Sequence, residues 1–192
     1  DCQMFFSDHL HVDIAVRGEG ELTFAEILDQ LDLHHSTNLE VLRAVPGLSY
    51  RVPNGVYRTE NRERIADLNT IPSAYLTGLF DEFGSVRSSA IIETNRGCPY
   101  GCTFCDWGSA TLSKVRKFDL ERVFAELEWS AKHRIEDASI ADANFGMLER
   151  DVAITQKIAD LRQVYGFPNT VGINYAKNQV KYLRDIIKIL AD

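Results

Sequence analysis

Three of the four cysteines in this chain lie within eight residues, at Cys98, Cys102 and Cys105, with the spacing C-x-x-x-C-x-x-C. The apolar residues 90–92 come just before them and are typical of a short strand. Glycine and serine follow, and then a helix-like pattern of apolar residues. The sequence therefore puts three thiols on one loop between a strand and a helix, and any fold of the chain must accommodate them there.

Three thiolates on a single loop suit an iron–sulfur cluster, because they can bind three irons of a cubane and leave the fourth iron open to another ligand. Two alternatives remain. A zinc site requires a fourth ligand, for which Cys2 and His133 are candidates, and it usually contains paired C-x-x-C knuckles. A thioredoxin-like pair of Cys102 and Cys105 leaves Cys98 without a role.

The cysteine motif resembles that of the radical S-adenosylmethionine (radical SAM) enzymes. The resemblance implies that Cys98, Cys102 and Cys105 hold a 4Fe-4S cluster whose open iron chelates S-adenosylmethionine. It also implies that an electron from the cluster cleaves this cosubstrate to methionine and a 5′-deoxyadenosyl radical. Phe104 occupies the aromatic position of the family motif, where its backbone is expected to lie against the adenine.

The residues around the cysteines are most similar to the radical SAM group that carries a cobalamin-binding domain upstream. The similarity lies in Pro99, Gly101 and residues 106–108. Residues 16–21, Val-Arg-Gly-Glu-Gly-Glu, resemble the end of the last strand and the start of the last helix of such a domain. This resemblance implies that the protein uses cobalamin, although most of the corrin pocket lies outside this chain.

Several local patterns predict structure before the cysteine motif. Residues 10–17 are predicted to form a buried parallel strand, because apolar residues alternate or run together there. A helix should follow, with Thr23 and Glu26 as a capping box at its start. Farther along, Asn54-Gly55 between two strand-like segments predicts a β-hairpin that turns at these two residues.

The last part of the chain repeats a strand–helix alternation. Strands are predicted at residues 91–94, 138–141 and 170–173, and a helical pattern of apolar residues follows each of them. Three consecutive strand–helix units predict parallel strands with right-handed crossovers. The apolar helix positions are Leu120, Val123, Phe124 and Leu127 in the first helix, Val152, Ile154, Ile158, Leu161 and Tyr165 in the second, and Val180, Leu183, Ile187 and Leu190 in the third.

Functional groups of such folds gather at the carboxyl ends of the strands. The cysteines follow the first strand, residues 142–146 end the second, and residues 174–177 follow the third. Many radical SAM enzymes have Gly-Gly-Glu at the second strand end. Residues 142–146 of this chain, Asp-Ala-Asn-Phe-Gly, resemble a variant of that motif seen in the cobalamin-associated group. Asp142 or Asn144 could accept a hydrogen bond from the ammonium of the bound methionine moiety. An Asx-type turn that ends the strand is the alternative role for these residues.

Composition restricts the class of partner. The net charge of −7, without a basic stripe, argues against a nucleic-acid surface that depends on phosphate contacts. The sequence has no apolar run long enough to cross a bilayer, so we expect no membrane partner. Clustered cysteines without a disulfide framework favour the reducing cytoplasm. The chain starts without Met and stops after a helical pattern, so we expect a fragment of a longer polypeptide.

We therefore predict an α/β fold, the N-terminal half of a radical SAM partial (βα)6 TIM-like barrel preceded by the tail of a Rossmann-like cobalamin-binding domain. The predicted domains are the cobalamin-domain remnant at 1–37, an interdomain linker with a small β-hairpin at 38–85, and the radical SAM core, with its first three strand–helix units, at 86–192. The predicted cofactors are a 4Fe-4S cluster, S-adenosylmethionine and cobalamin.

The predicted function is that of a radical SAM enzyme, in particular a cobalamin-dependent methyltransferase that acts on an unactivated carbon. The predicted partners are a small-molecule or peptide substrate and an electron donor such as flavodoxin or ferredoxin. A radical rearrangement or cyclisation uses the same parts and is an alternative. An electron-transfer cluster domain without radical chemistry is another, and it would not respond to added S-adenosylmethionine.

Overall fold

The computed structural model describes residues 2–35, 38–81, 89–105, 114–175 and 181–191. It divides into two compact units, Asp1–Ala66 and Asp67–Asp192. In these described ranges, no helix is both long enough and apolar enough to cross a membrane.

The first unit contains a small antiparallel sheet and two helices. In chain order its elements are α1 (Cys2–Asp8), β1 (Ile14–Val16), α2 (Glu21–His34), a 3-10 helix (Leu39–Ala44), β2 (Leu48–Val52) and β3 (Gly55–Arg58). The sheet has the order β1-β2-β3. Its buried apolar cluster joins α2 to the sheet and consists of Ile27, Leu42, Val45, Leu48 and Tyr50.

β1 is shorter than the sequence predicts, and it runs antiparallel to its neighbour. Ile14 pairs with Tyr50, so the prediction of a parallel strand over residues 10–17 is wrong. The strand finds its partner in the hairpin of β2 and β3, which an apolar pattern by itself does not specify. This pairing joins β1 to the hairpin within the first compact unit.

The predicted hairpin is confirmed, with a small shift of its turn. Val52 pairs with Gly55, so the two-residue turn consists of Pro53 and Asn54. Gly55 has a φ of 132°, which glycine adopts more readily than other residues because it has no Cβ atom. The asparagine–glycine signal therefore identifies the hairpin correctly and misplaces its turn by one residue.

The predicted capping box at the start of α2 is wrong. The helix begins at Glu21 with Gly20 as its N-cap residue, and no side chain caps it. Thr23 is buried inside the first unit, and Glu26 forms an ion pair with Arg62. Both side chains therefore contact other parts of the unit rather than the first turn of their own helix.

The second unit repeats a strand and a helix three times. In chain order its elements are β4 (Ser89–Ile92), β5 (Asn95–Arg96), β6 (Arg116–Lys117), α3 (Leu120–Lys132), β7 (Asp137–Phe145), α4 (Arg150–Tyr165), β8 (Thr170–Tyr175) and α5 (Leu183–Ala191), with a 3-10 helix at Leu68–Thr70 before them. Strands β4, β7 and β8 form a sheet in that order, and β5 pairs with β6.

The three-stranded sheet is parallel, as the sequence predicts. Ile92 pairs with Ile140 and Ile140 with Ile173 in the same direction. Ile92 and Ile140 are buried, because the helices cover this face of the sheet. Regular pairing of β7 with β8 is interrupted between Ile140 and Phe145. This irregularity lies where the sequence predicts the second functional strand end.

Five of the predicted apolar helix positions are buried. Val123 and Leu127 of α3 are buried, and so are Ile154, Ile158 and Leu161 of α4. The last helix differs from the prediction, because Ile186 is its buried residue while 57% of Ile187 is exposed. Val180 lies outside the described residues.

β4 forms one edge of the described sheet, and a tyrosine covers part of that edge. The hydroxyl group of Tyr75 donates to the carbonyl oxygen of Ile91 and accepts from the Ile91 backbone nitrogen, both at 2.9 Å. The Tyr75 ring packs near Trp129 of α3, with ring centroids 5.1 Å apart. Because edge strands otherwise present unpaired backbone groups, this contact satisfies a donor and an acceptor of the edge strand.

Candidate functional site

A cleft of about 560 Å³ lies beside the cysteine loop and the carboxyl ends of β7 and β8. Because the strands β4, β7 and β8 are parallel, their carboxyl ends lie at one edge of the sheet. The loop after β4 reaches this same edge, which is where side chains of such folds commonly bind ligands. The cleft is lined by Cys98, Tyr100, Cys102, Phe104, Cys105, Ala143, Asn144, Ile173, Asn174 and Tyr175.

All three cysteines predicted to hold a cluster line this cleft. Cys98 is buried, with 8% of its surface exposed, whereas Cys102 and Cys105 are half-buried. The backbone nitrogen of Cys105 donates to the carbonyl oxygen of Cys102 at 3.3 Å, so a turn joins the last two cysteines. The three thiols are thus brought to one ligand-sized space.

The described residues contain no group of three His, Cys, Asp or Glu side chains arranged to bind one metal ion. A zinc site made from these cysteines with His133 therefore has no geometric support, and His133 stacks instead on Trp129 with ring centroids 3.9 Å apart. A cubane cluster makes a different demand, because each cysteine binds a different iron. Three thiols that line one cleft can meet that demand.

Asp142 is completely buried and is not among the residues that line the described cleft. Its Oδ1 accepts hydrogen bonds from the backbone nitrogens of Thr94, at 2.7 Å, and Asn95, at 3.1 Å. Its Oδ2 accepts from the hydroxyl group of Thr94 and, at 2.6 Å, from the side-chain amide of Asn95. The carboxylate therefore links β7 to the start of the cysteine loop. The four groups that donate hydrogen bonds to it belong to Thr94 and Asn95.

Burial also changes the acidity of Asp142. Removal from water raises the pKa of this carboxyl group from 3.8 to about 6, while the hydrogen bonds from Thr94 and Asn95 oppose the shift. The negative charge of Asp151 adds a small increase to the pKa of Asp142. The group therefore titrates closer to neutrality than an exposed aspartate does.

Asn144 is the polar residue of this strand end that reaches the thiols. Its side-chain nitrogen Nδ2 donates a hydrogen bond to Sγ of Cys98 at 3.2 Å. A thiolate accepts such a bond more strongly than a thiol does, because the bond is then charge-assisted. Of the two residues predicted to receive the methionine ammonium, Asn144 lines the cleft and Asp142 does not.

Other predicted residues lie at the rim of the cleft. Phe104 lines the cleft, and 76% of its surface is exposed. Asn174 and Tyr175 at the end of β8 also line the cleft, as expected for a third strand end. Lys177 and residues 106–108 lie outside the described residues.

Two residues with a clear role in this site have no recognisable signal in the sequence. Thr94 and Asn95 bind Asp142 across 48 and 47 positions of the chain, respectively. Nothing in the local pattern identifies such a distant partner. The nearest signal is their place directly after a buried strand, where polar residues often mark a functional edge.

Two curated relatives match nearly the whole chain. The cobalamin-dependent radical SAM methyltransferase TokK of Streptomyces tokunonensis is 42% identical over 196 residues, which cover 98% of this chain and 28% of TokK. The 2-(S-pantetheinyl)-carbapenam-3-carboxylate methyltransferase of Streptantibioticus cattleyicolor gives the same identity and coverage. Over nearly its whole length, this chain is therefore similar to one part of these relatives. It spans 28% of their length.

Two solved structures share the fold of this chain. The methyltransferase TsrM from Kitasatospora setae, with tryptophan and an S-adenosylmethionine analogue bound, matches with a TM-score of 0.57 and 19% identity over 88% of this chain and 33% of its own. The cobalamin-dependent radical enzyme OxsB, with aqua-cobalamin and S-adenosylmethionine bound, matches with a TM-score of 0.54 and 20% identity over 97% of this chain and 27% of its own. No protein-family model matches the chain. The predicted fold class is confirmed by these likenesses.

Proposed function

We propose that this chain carries the cluster-binding and cosubstrate-binding part of a cobalamin-dependent radical SAM methyltransferase. The proposal depends on one observation, that Cys98, Cys102 and Cys105 line a single cleft with the carboxyl ends of β7 and β8. The names of the relatives support methyl transfer as the reaction, since both are methyltransferases. Cyclisation has weaker support of the same kind, since a relative that is 27% identical over 69% of this chain is named as a cyclase.

The three cysteines would hold a 4Fe-4S cluster through their thiolates, and the chemistry of this donor set fits such a group. When bound, the cluster supplies one electron to the sulfonium of S-adenosylmethionine, which then separates into methionine and a 5′-deoxyadenosyl radical. Asp142 would keep the start of the cysteine loop against β7 through its bonds to Thr94 and Asn95. The protein's own contribution at this site would therefore be to hold three sulfur ligands and to keep water away from one of them, the sulfur of Cys98.

The remaining cleft would hold the cosubstrate. Asn144 donates through Nδ2 to Cys98, which leaves its carbonyl oxygen Oδ1 available as an acceptor for the ammonium of the methionine moiety. The backbone at Phe104 would lie against the adenine. A cleft of about 560 Å³ is of the size that ordinary cofactor sites have.

Cobalamin use is supported by the relatives and by the resemblance of residues 16–21 to the end of a cobalamin-binding domain. When bound, cobalamin supplies the methyl group. The methyl acceptor would be an unactivated carbon of a small molecule or peptide, and a flavodoxin or ferredoxin would deliver the electron. We propose residues 1–37 as the remnant of the cobalamin-binding domain.

Anaerobic reconstitution of the full-length protein with iron and sulfide tests the proposal. We expect a brown protein whose electron paramagnetic resonance (EPR) spectrum changes when S-adenosylmethionine is added, together with release of 5′-deoxyadenosine under reducing conditions. A cluster spectrum that ignores S-adenosylmethionine would indicate an electron-transfer domain. A colourless protein with one zinc per chain would contradict the proposal altogether.

A second measurement separates methyl transfer from other radical reactions. S-adenosylmethionine with an isotopically labelled methyl group should pass its label first to cobalamin and then to the organic product. A product that is rearranged or cyclised without the label would refute methyl transfer and leave the cluster assignment intact.

A further inference from the structure

The hydrogen bond between Asn144 and Cys98 has a consequence for electron transfer. We propose that Asn144 raises the reduction potential of the cluster by donating its side-chain N–H to the sulfur of Cys98. The inference rests on the proposed function, because it requires that Cys98 binds iron. It assigns to Asn144 a positioning and tuning role that is separate from any contact with S-adenosylmethionine.

The orientation of the Asn144 amide follows from the chemistry of its partner. A metal-bound thiolate has no hydrogen and can only accept, so the amide nitrogen must face the sulfur and the amide oxygen must turn away. The structure has this orientation, with Nδ2 at 3.2 Å from Sγ. Among the described residues, Cys98 is the one cluster ligand to which a side chain donates a hydrogen bond.

The surroundings of Asn144 and Cys98 strengthen the hydrogen bond between them. Only 8% of Cys98 is exposed, so water competes little for its sulfur, and electrostatic interactions are stronger there than in solvent. Asn144 is held on both sides, by the anchored Asp142 and by Phe145, which is 1% exposed and pairs with Tyr175. The irregular step of β7 aims Asn144 at the cleft, as β-bulges commonly do beside active sites.

The direction of the effect follows from charge. Reduction adds one negative charge to the cluster, and part of that charge resides on the ligand sulfurs. A donor beside Cys98 therefore stabilises the reduced form more than the oxidised form, and hydrogen bonds to the sulfurs are among the factors that set cluster potentials. Loss of the donor should make the cluster harder to reduce.

The test is a redox titration of the reconstituted full-length protein, followed by EPR. Asn144→Leu keeps the approximate volume of the side chain and removes the donor. Asn144→Asp, at mildly alkaline pH, also removes the donor but keeps an acceptor oxygen. Asn174→Leu is the matched control, since Asn174 lines the same cleft from β8 and no contact with a cysteine sulfur is seen for it.

We expect both Asn144 variants to shift the midpoint potential to more negative values. At a fixed potential the ratio of reduced to oxidised cluster should fall about threefold or more, as for the loss of a hydrogen bond to a charged acceptor. Asn174→Leu should leave the potential unchanged. Unchanged potentials in both Asn144 variants would overturn the inference, and absence of a cluster in the wild type would instead overturn the proposed function.

A measurement on the wild type covers the case in which the Asn144 variants fail to assemble a cluster. Protein containing isotopically labelled asparagine amide nitrogen should show hyperfine coupling between the reduced cluster and that nitrogen. Asn174→Leu should retain this coupling. Its absence from the wild-type spectrum would also overturn the inference.

Discussion

Thr94 donates two hydrogen bonds to the buried carboxylate of Asp142, one from its backbone nitrogen at 2.7 Å and one from its hydroxyl group. The two residues are 48 positions apart in the chain, and they join the end of β4 to β7. This contact ties the start of the cysteine loop to β7. It also explains why an acidic residue at a predicted ligand site points into the protein.

Thr94→Val should destabilise the protein, because the change keeps the shape of the side chain and removes one donor from a buried carboxylate. We expect a loss of about 1–2 kcal/mol in the free energy of unfolding. Denaturant titration of the apoprotein measures it. Thr77→Val, at an exposed position of the same unit, is the control and should change stability by much less. Equal effects of the two substitutions would argue against the role of this contact.

Asp142 should make stability depend on pH in a defined window. Its folded pKa is raised from 3.8 to about 6, so the folded state holds a proton that the unfolded state has lost within this range. The contribution of Asp142 is therefore fully present below pH 3.8 and falls as pH rises through about 6. The stability difference between wild type and Asp142→Asn should decrease by on the order of 2 kcal/mol across the window. A flat difference would contradict the raised pKa.

Replacement of Cys102 by Ala should prevent stable cluster assembly, because the cleft would then offer two thiolates instead of three. We expect loss of the iron–sulfur absorbance and of 5′-deoxyadenosine release in the full-length protein. Iron and sulfide analysis after anaerobic reconstitution measures the first effect. Cys2→Ala, outside the motif, should retain the cluster. A Cys102→Ala protein that is as brown and as active as the wild type would refute the ligand assignment.

Tyr75→Phe should weaken the edge of the sheet at β4. The substitution keeps the ring against Trp129 and removes the hydroxyl group that serves both backbone groups of Ile91. We expect a loss of about 1–2 kcal/mol in unfolding free energy and faster amide hydrogen exchange at Ile91. Tyr165→Phe, at an exposed residue of α4, should have no such effect. Unchanged exchange at Ile91 would show that water replaces the hydroxyl group without cost.

The order of strands and helices in the second unit could be predicted, because buried parallel strands and amphipathic helices have different apolar periods. The prediction of which residues of α5 are buried was less accurate. Its sequence offers two adjacent isoleucines, and only packing decides that Ile186 is buried and Ile187 is exposed. The direction of β1 was likewise undetermined, since its partner β2 lies far along the chain.

The spacing of the cysteines could predict that their thiols share one place in the fold, whereas the positions of the polar residues could be predicted only in part. Asp142 and Asn144 are two positions apart, so a regular strand would present both on the same face. The interruption of pairing between Ile140 and Phe145 breaks that alternation. As a result, Asp142 is buried and Asn144 lines the cleft. A local irregularity of this kind arises from tertiary packing and leaves no trace in residue periodicity.

The same irregularity limits how this segment can vary in length. Burial alternates regularly through Ala138, Ile140 and Asp142, and then skips to Phe145. A deletion of one residue between Asp142 and Phe145 would restore an even alternation, but it would also remove or redirect the amide that faces Cys98. An insertion would move Phe145 off its pairing with Tyr175. Point substitutions should therefore be tolerated here far more readily than any gain or loss of a residue.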